Sequence, residues 1–345
     1  MRLDRIKTFL KKKNVEISFN KYCVDALSFM AFGLFSSLIV GSILNLIGTK
    51  LNILLLTETI WPIAKQMTGP AIAVAIAYGL NAPPLVIFSS VLTGAAGAAL
   101  GGPIGAYIAG LVGVEIGKLV SKETKFDIIV TPSVTIISGC LIGTLIGPMI
   151  SSIMVGFGNL IVYATELQPI PMGILVSVLM GIALTLPISS AAIGIMLGLK
   201  GLAAGAATVG CCAQMVGFAV ISFKENRWAG VFAQGLGTTM LQVPNIINNW
   251  KIWIPSIVAS AILGPLATVV FKMENTAIGS GMGTSGFVGQ FGTIEAMEAV
   301  GRGGIGLYSS ILLLHFILPV IITLFISNLL RKKGHIKEND LKIDL

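Results

Sequence analysis

The sequence predicts an all-α, polytopic membrane protein with about eight to ten crossings, half-helices, a re-entrant loop and an internal repeat. Composition is the first observation behind this. Of 345 residues 54% are hydrophobic and only 11% charged, with a mean hydropathy of +0.91. Soluble domains carry about 25% charged residues, so this chain lacks the charge to cover a water-facing surface. The second observation is the shape of the apolar runs, such as "ALSFMAFGLFSSLIVGSILNLIG" (26–48) and "YSSILLLHFILPVIITLFISNLL" (308–330). They are long and do not alternate, as barrel strands of about 10 residues would. Only helices and closed barrels satisfy their backbone groups in lipid. The third is punctuation by glycine and proline, which cuts several apolar stretches below a full crossing.

Residues 1–24 open with "MRLDRIKTFLKKK". Leu3, Ile6, Phe9 and Leu10 recur at helical spacing among lysines, which predicts an amphipathic helix on the anionic cytoplasmic interface. No cleavage site marks the segment as a secretory signal. The transport domain is expected over 25–330, and the tail 331–345 begins "RKKGHIK". Basic residues at both ends place both termini in the cytoplasm and make the number of crossings even. The net charge of +8 is thereby read as membrane topology. No groove-reading motif accompanies it, so a nucleic-acid partner is not expected.

Between the ends, spans are expected at 26–47, 84–100, 104–120, 128–156, 172–186, 202–223, 228–244, 253–270 and 308–330. The stretches 68–80 and 190–199 are too short to cross about 30 Å of hydrocarbon and read as half-helices. "AIAVAIAYGL" (71–80) and "SAAIGIMLGL" (190–199) align without gaps, and each follows a proline, Pro70 or Pro187. Gly33 and Gly41 share their spacing with Gly139 and Gly147, and "TPSV" (131–134) parallels "IPSI" (254–257). The halves 26–127 and 128–253 are therefore expected to be repeats. Lys118, Lys122 and Lys125 mark one cytoplasmic loop, Lys224 and Arg227 another. Repeated halves with broken, Gly/Pro-interrupted segments are a transporter signature, with the binding site between them.

Most of the 41 glycines need only a packing explanation, because small residues let membrane helices approach closely. Cys23, Cys140, Cys211 and Cys212 lack ligand spacing and read as packing residues. No metal or cofactor motif occurs, nor any HExxH or GxSxG, so no enzyme is expected.

The stretch "GSGMGTSGFVGQFGTIEAME" (279–298) contains Gly281-Met-Gly283-Thr-Ser-Gly286, which fits G-x-G-x-x-G. A dinucleotide site needs a preceding strand and a soluble βαβ unit. That context is missing, and Gly301-Arg-Gly303-Gly304-Ile-Gly306 matches as well. The expectation is instead a polar loop over 272–304. Glycines there let the backbone approach a solute, with Asn275, Gly283, Thr284, Ser285, Gly286, Gln290 and Glu295 as candidate ligands and Glu298 and Arg302 orienting the loop. A flexible loop outside the membrane is the other reading. Gln214 and Gln242 are candidates to bind a polyol, or else to stitch helices together. Glu115 pairs locally with Lys118 or serves a proton relay, and His315 is a core histidine or a relay.

"GMGTSGFVGQ" (281–290), the basic N-terminal segment, the proline-entered half-helices and "NTAIGSGMGTSGFVGQFGTIEAM" (275–297) together resemble phosphotransferase-system EIIC-like membrane proteins. That family includes chains labelled PfoR-type regulators of toxin expression. The resemblance implies a dimeric sugar permease of the bacterial cytoplasmic membrane. In sugar EIIC proteins a Gly-Ile-Thr-Glu motif offers its carboxylate to sugar hydroxyls. This chain has Gly292-Thr293-Ile294-Glu295, its middle pair exchanged, so the resemblance singles out Glu295. No soluble domain carrying a phosphorylated Cys or His is visible, so separate IIA and IIB proteins would supply any phosphoryl group. A membrane-embedded regulator and a phosphotransferase-independent carrier are the alternatives.

Overall fold

The computed structural model describes residues 8–343. They are helical throughout, with no strand among them beyond one isolated bridge between Gly201 and Asn275. The chain divides into two compact units, Met1–Met154 and Val155–Leu345. The boundary falls inside one continuous helix, later than the repeat boundary expected at 127.

In the first unit the basic segment is helical over 8–12 and turns at Asn14, whose φ is 55°. The predicted helix over 1–24 is thus two pieces. Of its apolar stripe, Leu3 and Ile6 lie outside the described residues. Lys13 Nζ donates to Ser121 O and pairs with Glu123, which holds that exposed carboxyl below the usual carboxylate range. Helix α1 (Lys21–Thr49) follows, and the Tyr107 hydroxyl donates to Tyr22 O at 2.6 Å. After α2 (Trp61–Gln66) comes the short α3 (Thr68–Gly79), packed between α1 and the next helix.

Helix α4 (Pro84–Val120) holds a break at Gly102, with φ 57° and ψ −149°. Only glycine adopts that backbone without strain, and Pro103 follows it. The chain reverses there: Gly97 meets Gly105, Thr93 meets Gly113 and Val86 meets Gly117. Each arm of about 18 residues rises about 27 Å, close to the hydrocarbon thickness of about 30 Å. The two arms match the separate spans expected at 84–100 and 104–120. Helix α5 (Asp127–Thr165) packs along both, Gly139 against Thr93 and the Ala109 carbonyl, Gly143 against Gly97.

The second unit holds α6 (Pro169–Thr185), the seven-residue α7 (Ser190–Met196), α8 (Gly201–Ile221), α9 (Phe223–Phe232) and α10 (Val243–Asn248). Next are α11 (Trp250–Val270), the short α12 (Ala277–Ser280), α13 (Val288–Ala299) and α14 (Ile305–Lys332). Arg227 within α9 repeats the backbone of Gly102, with φ 51° and ψ −151°. The chain then returns along α8, where Gln234 Nε2 donates to Ser222 Oγ at 2.8 Å. Both units therefore run through a short helix, a hairpin with a left-handed turn, and a long helix with proline in its first turns (Pro132, Pro255). The span expected over 228–244 is not one helix. It ends at Gly237, Thr238 is extended, and a single turn Thr239–Gln242 follows.

Among the described residues six helices are long and apolar enough to cross a membrane, with α4 counted once. The multi-pass helical expectation holds. The count is lower than expected because 84–100 and 104–120 enter as the one helix α4, and 169–185 and 228–237 form only short pieces.

Helix α8 is the centre of its unit, 94% buried along its most apolar window. Gly210 lies against the Ser177 carbonyl of α6, and Gly217 against Ser256 of α11 and Thr323 of α14. Gly205 lies against the Met273 carbonyl. Val209 and Ala213 complete a core with Ala259, Leu263, Met297 and Leu314. Van der Waals packing between small residues is what drives helices together in lipid.

A Cβ at Gly210 would overlap rigid backbone, whereas Gly306 has nothing within 4 Å. Gly210→Val is therefore expected to cost about 3 kcal/mol or more, read as a fall in the thermal midpoint of the purified protein, with Gly306→Ala near wild type. Equal midpoints would refute the close approach.

Candidate functional site

The glycine-rich stretch is a folded plate against α8. Arg302 closes its base, donating from Nη1 to Lys272 O at 2.6 Å and from Nη2 to Phe271 O at 2.9 Å. Thr276 caps α12 by accepting from Gly279 N at 3.2 Å. Asn275, 1% exposed, is the central staple. Its Oδ1 accepts from Thr276 N at 2.7 Å, and its Nδ2 lies 2.5 Å from Thr208 Oγ1, 2.9 Å from Gly289 O and 3.0 Å from Thr293 Oγ1. Gly279 and Gly292 flank this amide, and a Cβ on either would overlap it.

Two further glycines supply backbone that side chains resist. Gly283 (φ 53°) seats on the backbone of Cys211 and Cys212, and Gly286 (φ 52°) turns the chain into α13. Between them Thr284 donates to Gly235 O at 2.5 Å. Ser190 Oγ of α7 donates to Gly281 O at 2.6 Å, so the half-helix supports the plate.

Most polar groups here are engaged, and the exceptions are informative. Ser285 Oγ is buried with no partner. Gln290 Nε2 donates to His315 Nδ1 at 3.0 Å and lies 3.4 Å from Cys212 Sγ, while its Oε1 is buried and unpartnered. An amide nitrogen only donates, so the His315 proton sits on Nε2, 3.1 Å from Met273 Sδ. On another face of α8, Gln214 Oε1 accepts from Trp253 Nε1 at 2.9 Å and from Thr185 Oγ1 at 3.3 Å, leaving Nε2 buried and unpartnered. Thr239 meets Thr185 at 2.9 Å.

The structure thus gathers Asn275, Gly283, Thr284, Ser285, Gly286 and Gln290 into one buried plate. Gln214 shares α8 but faces α6 and α11. Gln242 lies apart, with all its amide atoms engaged: Nε2 donates to Gln234 Oε1 (2.9 Å) and Leu341 O (3.0 Å), and Oε1 accepts from Asn245 (2.8 Å). Its geometry is the stitching one. Glu295 is exposed on the outer side of α13, and no hydrogen bond or ion pair engages it among the described residues. Glu115 pairs with Lys118 at 3.0 Å in the first unit.

The family described as "Phosphotransferase system, EIIC" matches residues 24–343, nearly the whole chain. The chain belongs to that EIIC family. It is a multi-pass membrane protein and a permease component of the phosphotransferase type. No curated protein and no solved structure matches it. Membership of the EIIC family implies a sugar substrate and possible IIA and IIB partners. Among the described residues no group of three or more His, Cys, Asp or Glu could hold a metal ion.

Reading the sequence missed Thr208, Thr185, Thr239, Ser190 and Trp253. Hydroxyls within apolar runs are common and usually bond their own helix, so only the fold separates these from the rest. Trp253 opens a span, where tryptophan is expected at the interface for other reasons.

Asn275→Ala leaves Thr276 N without its acceptor, at about 1–3 kcal/mol, and takes one bond each from Thr208 and Thr293, which keep their own backbone acceptors; Asn275→Asp adds a buried charge. Faster hydrogen exchange over 277–299 in both variants, larger in Asn275→Asp, is the expected outcome. Wild-type exchange would remove Asn275 as the staple.

Proposed function

We propose that this chain is the membrane-embedded subunit that carries a small hydrophilic solute, a sugar, across the bacterial cytoplasmic membrane by alternating access. Separate IIA and IIB proteins supply phosphorylation where it occurs. The observation carrying the site is the plate over 272–304, where among the described residues Ser285 Oγ and Gln290 Oε1 are buried and unpartnered beside the engaged Asn275, Thr276, Thr284 and Thr293. A buried polar atom without a partner costs about 1–3 kcal/mol, and a hydroxyl-rich solute would recover that. Irregular backbone at membrane depth is tolerated where it is buried in protein or lines a watery cavity, in keeping with a re-entrant loop.

Glu295 remains a candidate ligand. An exposed carboxylate is expensive against lipid and ordinarily faces a cavity or a partner. Gln214, with its unpartnered Nε2, is a second contact at another level of α8. The matching order of elements in the two units supports duplicated halves, as transporters use. The basic residues Lys224, Arg227, Lys251, Arg331, Lys332 and Lys333 gather on segments hydrogen-bonded to one another or adjoining them, with the exposed Trp228 and Trp250 beside them. Clustered positive charge with an aromatic belt supports a cytoplasmic C-terminus. A homodimer is part of the same reading.

The test is a thermal-shift screen of purified protein against sugars and sugar acids, followed by titration of any hit. Ser285→Ala and Gln290→Ala are each expected to weaken binding about tenfold, the loss of one hydrogen bond of about 1.4 kcal/mol, and Glu295→Gln by as much or more. A hit bound equally well by all three variants refutes the site. Unchanged uptake of every such solute in a deletion strain would favour the regulator.

A further inference from the structure

The segment after α14, expected to be a basic tail, is docked. Gly334 (φ 72°) ends the helix. Ile336 and Leu341, 3% and 0% exposed, then pack with Phe218, Ile221, Ile246 and Ile252. Side-chain amides hold the tail by its backbone. Asn226 Nδ2 donates to Leu341 O at 2.7 Å, and Asn226 Oδ1 accepts from Ile343 N at 2.8 Å. Gln242 Nε2 donates to Leu341 O at 3.0 Å and Asn245 Nδ2 to Lys342 O at 2.8 Å. Asn249 Nδ2 reaches His335 O at 3.0 Å and Asp340 Oδ2 at 2.7 Å. Such a comb reads main chain.

The comb does not stop at the tail. Gln242, which grips Leu341, also donates to Gln234 Oε1 at 2.9 Å. The next residue, Gly235, accepts the 2.5 Å hydrogen bond from Thr284 in the glycine-rich plate. Gln242 also ends the turn carrying Thr239, which meets Thr185 beside Gln214. Three hydrogen bonds and one peptide link therefore run from the tail backbone to the plate. Buried amide networks are costly when half-satisfied, so losing the tail removes both bonds of Asn226 and one each from Gln242 and Asn245, and unsettles the 233–242 segment.

We propose that residues 335–343 form an intramolecular latch, whose docking holds the glycine-rich plate closed and whose release opens it. That this regulates solute passage rests on reading the plate as the solute site; the mechanical coupling does not.

Two native thiols report on the plate directly. Cys211 and Cys212 are 0% exposed; Cys212 Sγ is 3.4 Å from Gln290 Nε2 and Cys211 Sγ 3.7 Å from Ser280 O. In a Cys23→Ser, Cys140→Ser background, deleting 335–345 is expected to raise alkylation of Cys211 and Cys212 by N-ethylmaleimide about tenfold or more. Exchange over 277–299 should rise with it. A second pair runs in the opposite sense: Asn226→Cys with Ile343→Cys, oxidised to tether the tail, should slow alkylation at Cys211 and Cys212 about threefold or more, and reductant should restore it. A folded deletion protein with unchanged alkylation and exchange overturns the latch. If the deletion fails to fold, equal alkylation of the tethered and reduced forms overturns it. Neither readout needs a solute, so failure here is separate from failure of the transport reading.

Discussion

The close approach of backbones around α8 is the constraint on which the second unit depends. Water drives apolar helices together in a soluble protein, but lipid does not, so association rests on packing and interhelical hydrogen bonds. Gly205, Gly210 and Gly217 face three different neighbours from one helix, and each leaves room for a carbonyl or a hydroxyl. Ser177 Oγ donates to Ser260 O at 2.7 Å and Ser260 Oγ to Gly210 O at 3.2 Å, which stitches α6, α11 and α8 together. A bulkier residue on any of these faces would push away a helix that also supports the plate.

The plate inherits its order from that pillar. Thr208, Cys211 and Cys212 project from consecutive turns of α8, and the loop is laid against them by Asn275, Gly283 and Gln290. Glycine matters here twice, as space for the Asn275 amide and as left-handed backbone at Gly283 and Gly286. Once the loop is fixed so tightly, its few unpartnered atoms stand out. The same logic holds at the tail, where amides rather than charges do the holding and the basic side chains remain at the rim.

Helical phase separates residues that the sequence places together. Gly292, Thr293 and Glu295 lie within one turn of α13. Gly292 and Thr293 are buried against Asn275, while the carboxylate points outward. A motif read as four successive letters becomes two faces of a helix. The segment that the resemblance singled out also holds buried unpartnered atoms, on Ser285 and Gln290 rather than on Glu295.

The sequence by itself determined the helical membrane class, the short helices near 70 and 190, and two separate spans on either side of Gly102-Pro103. These are local properties, written in composition, run length and the positions of glycine and proline within a few residues of each other. Tertiary structure alone decided which amides stitch, which polar atoms are left over, and that the tail docks. Asn226 and Leu341 are 115 positions apart, and Gln242 and Leu341 are 99 apart. A hydrogen bond over such a separation depends on the directions of three or four packed helices at once, and no local pattern encodes that.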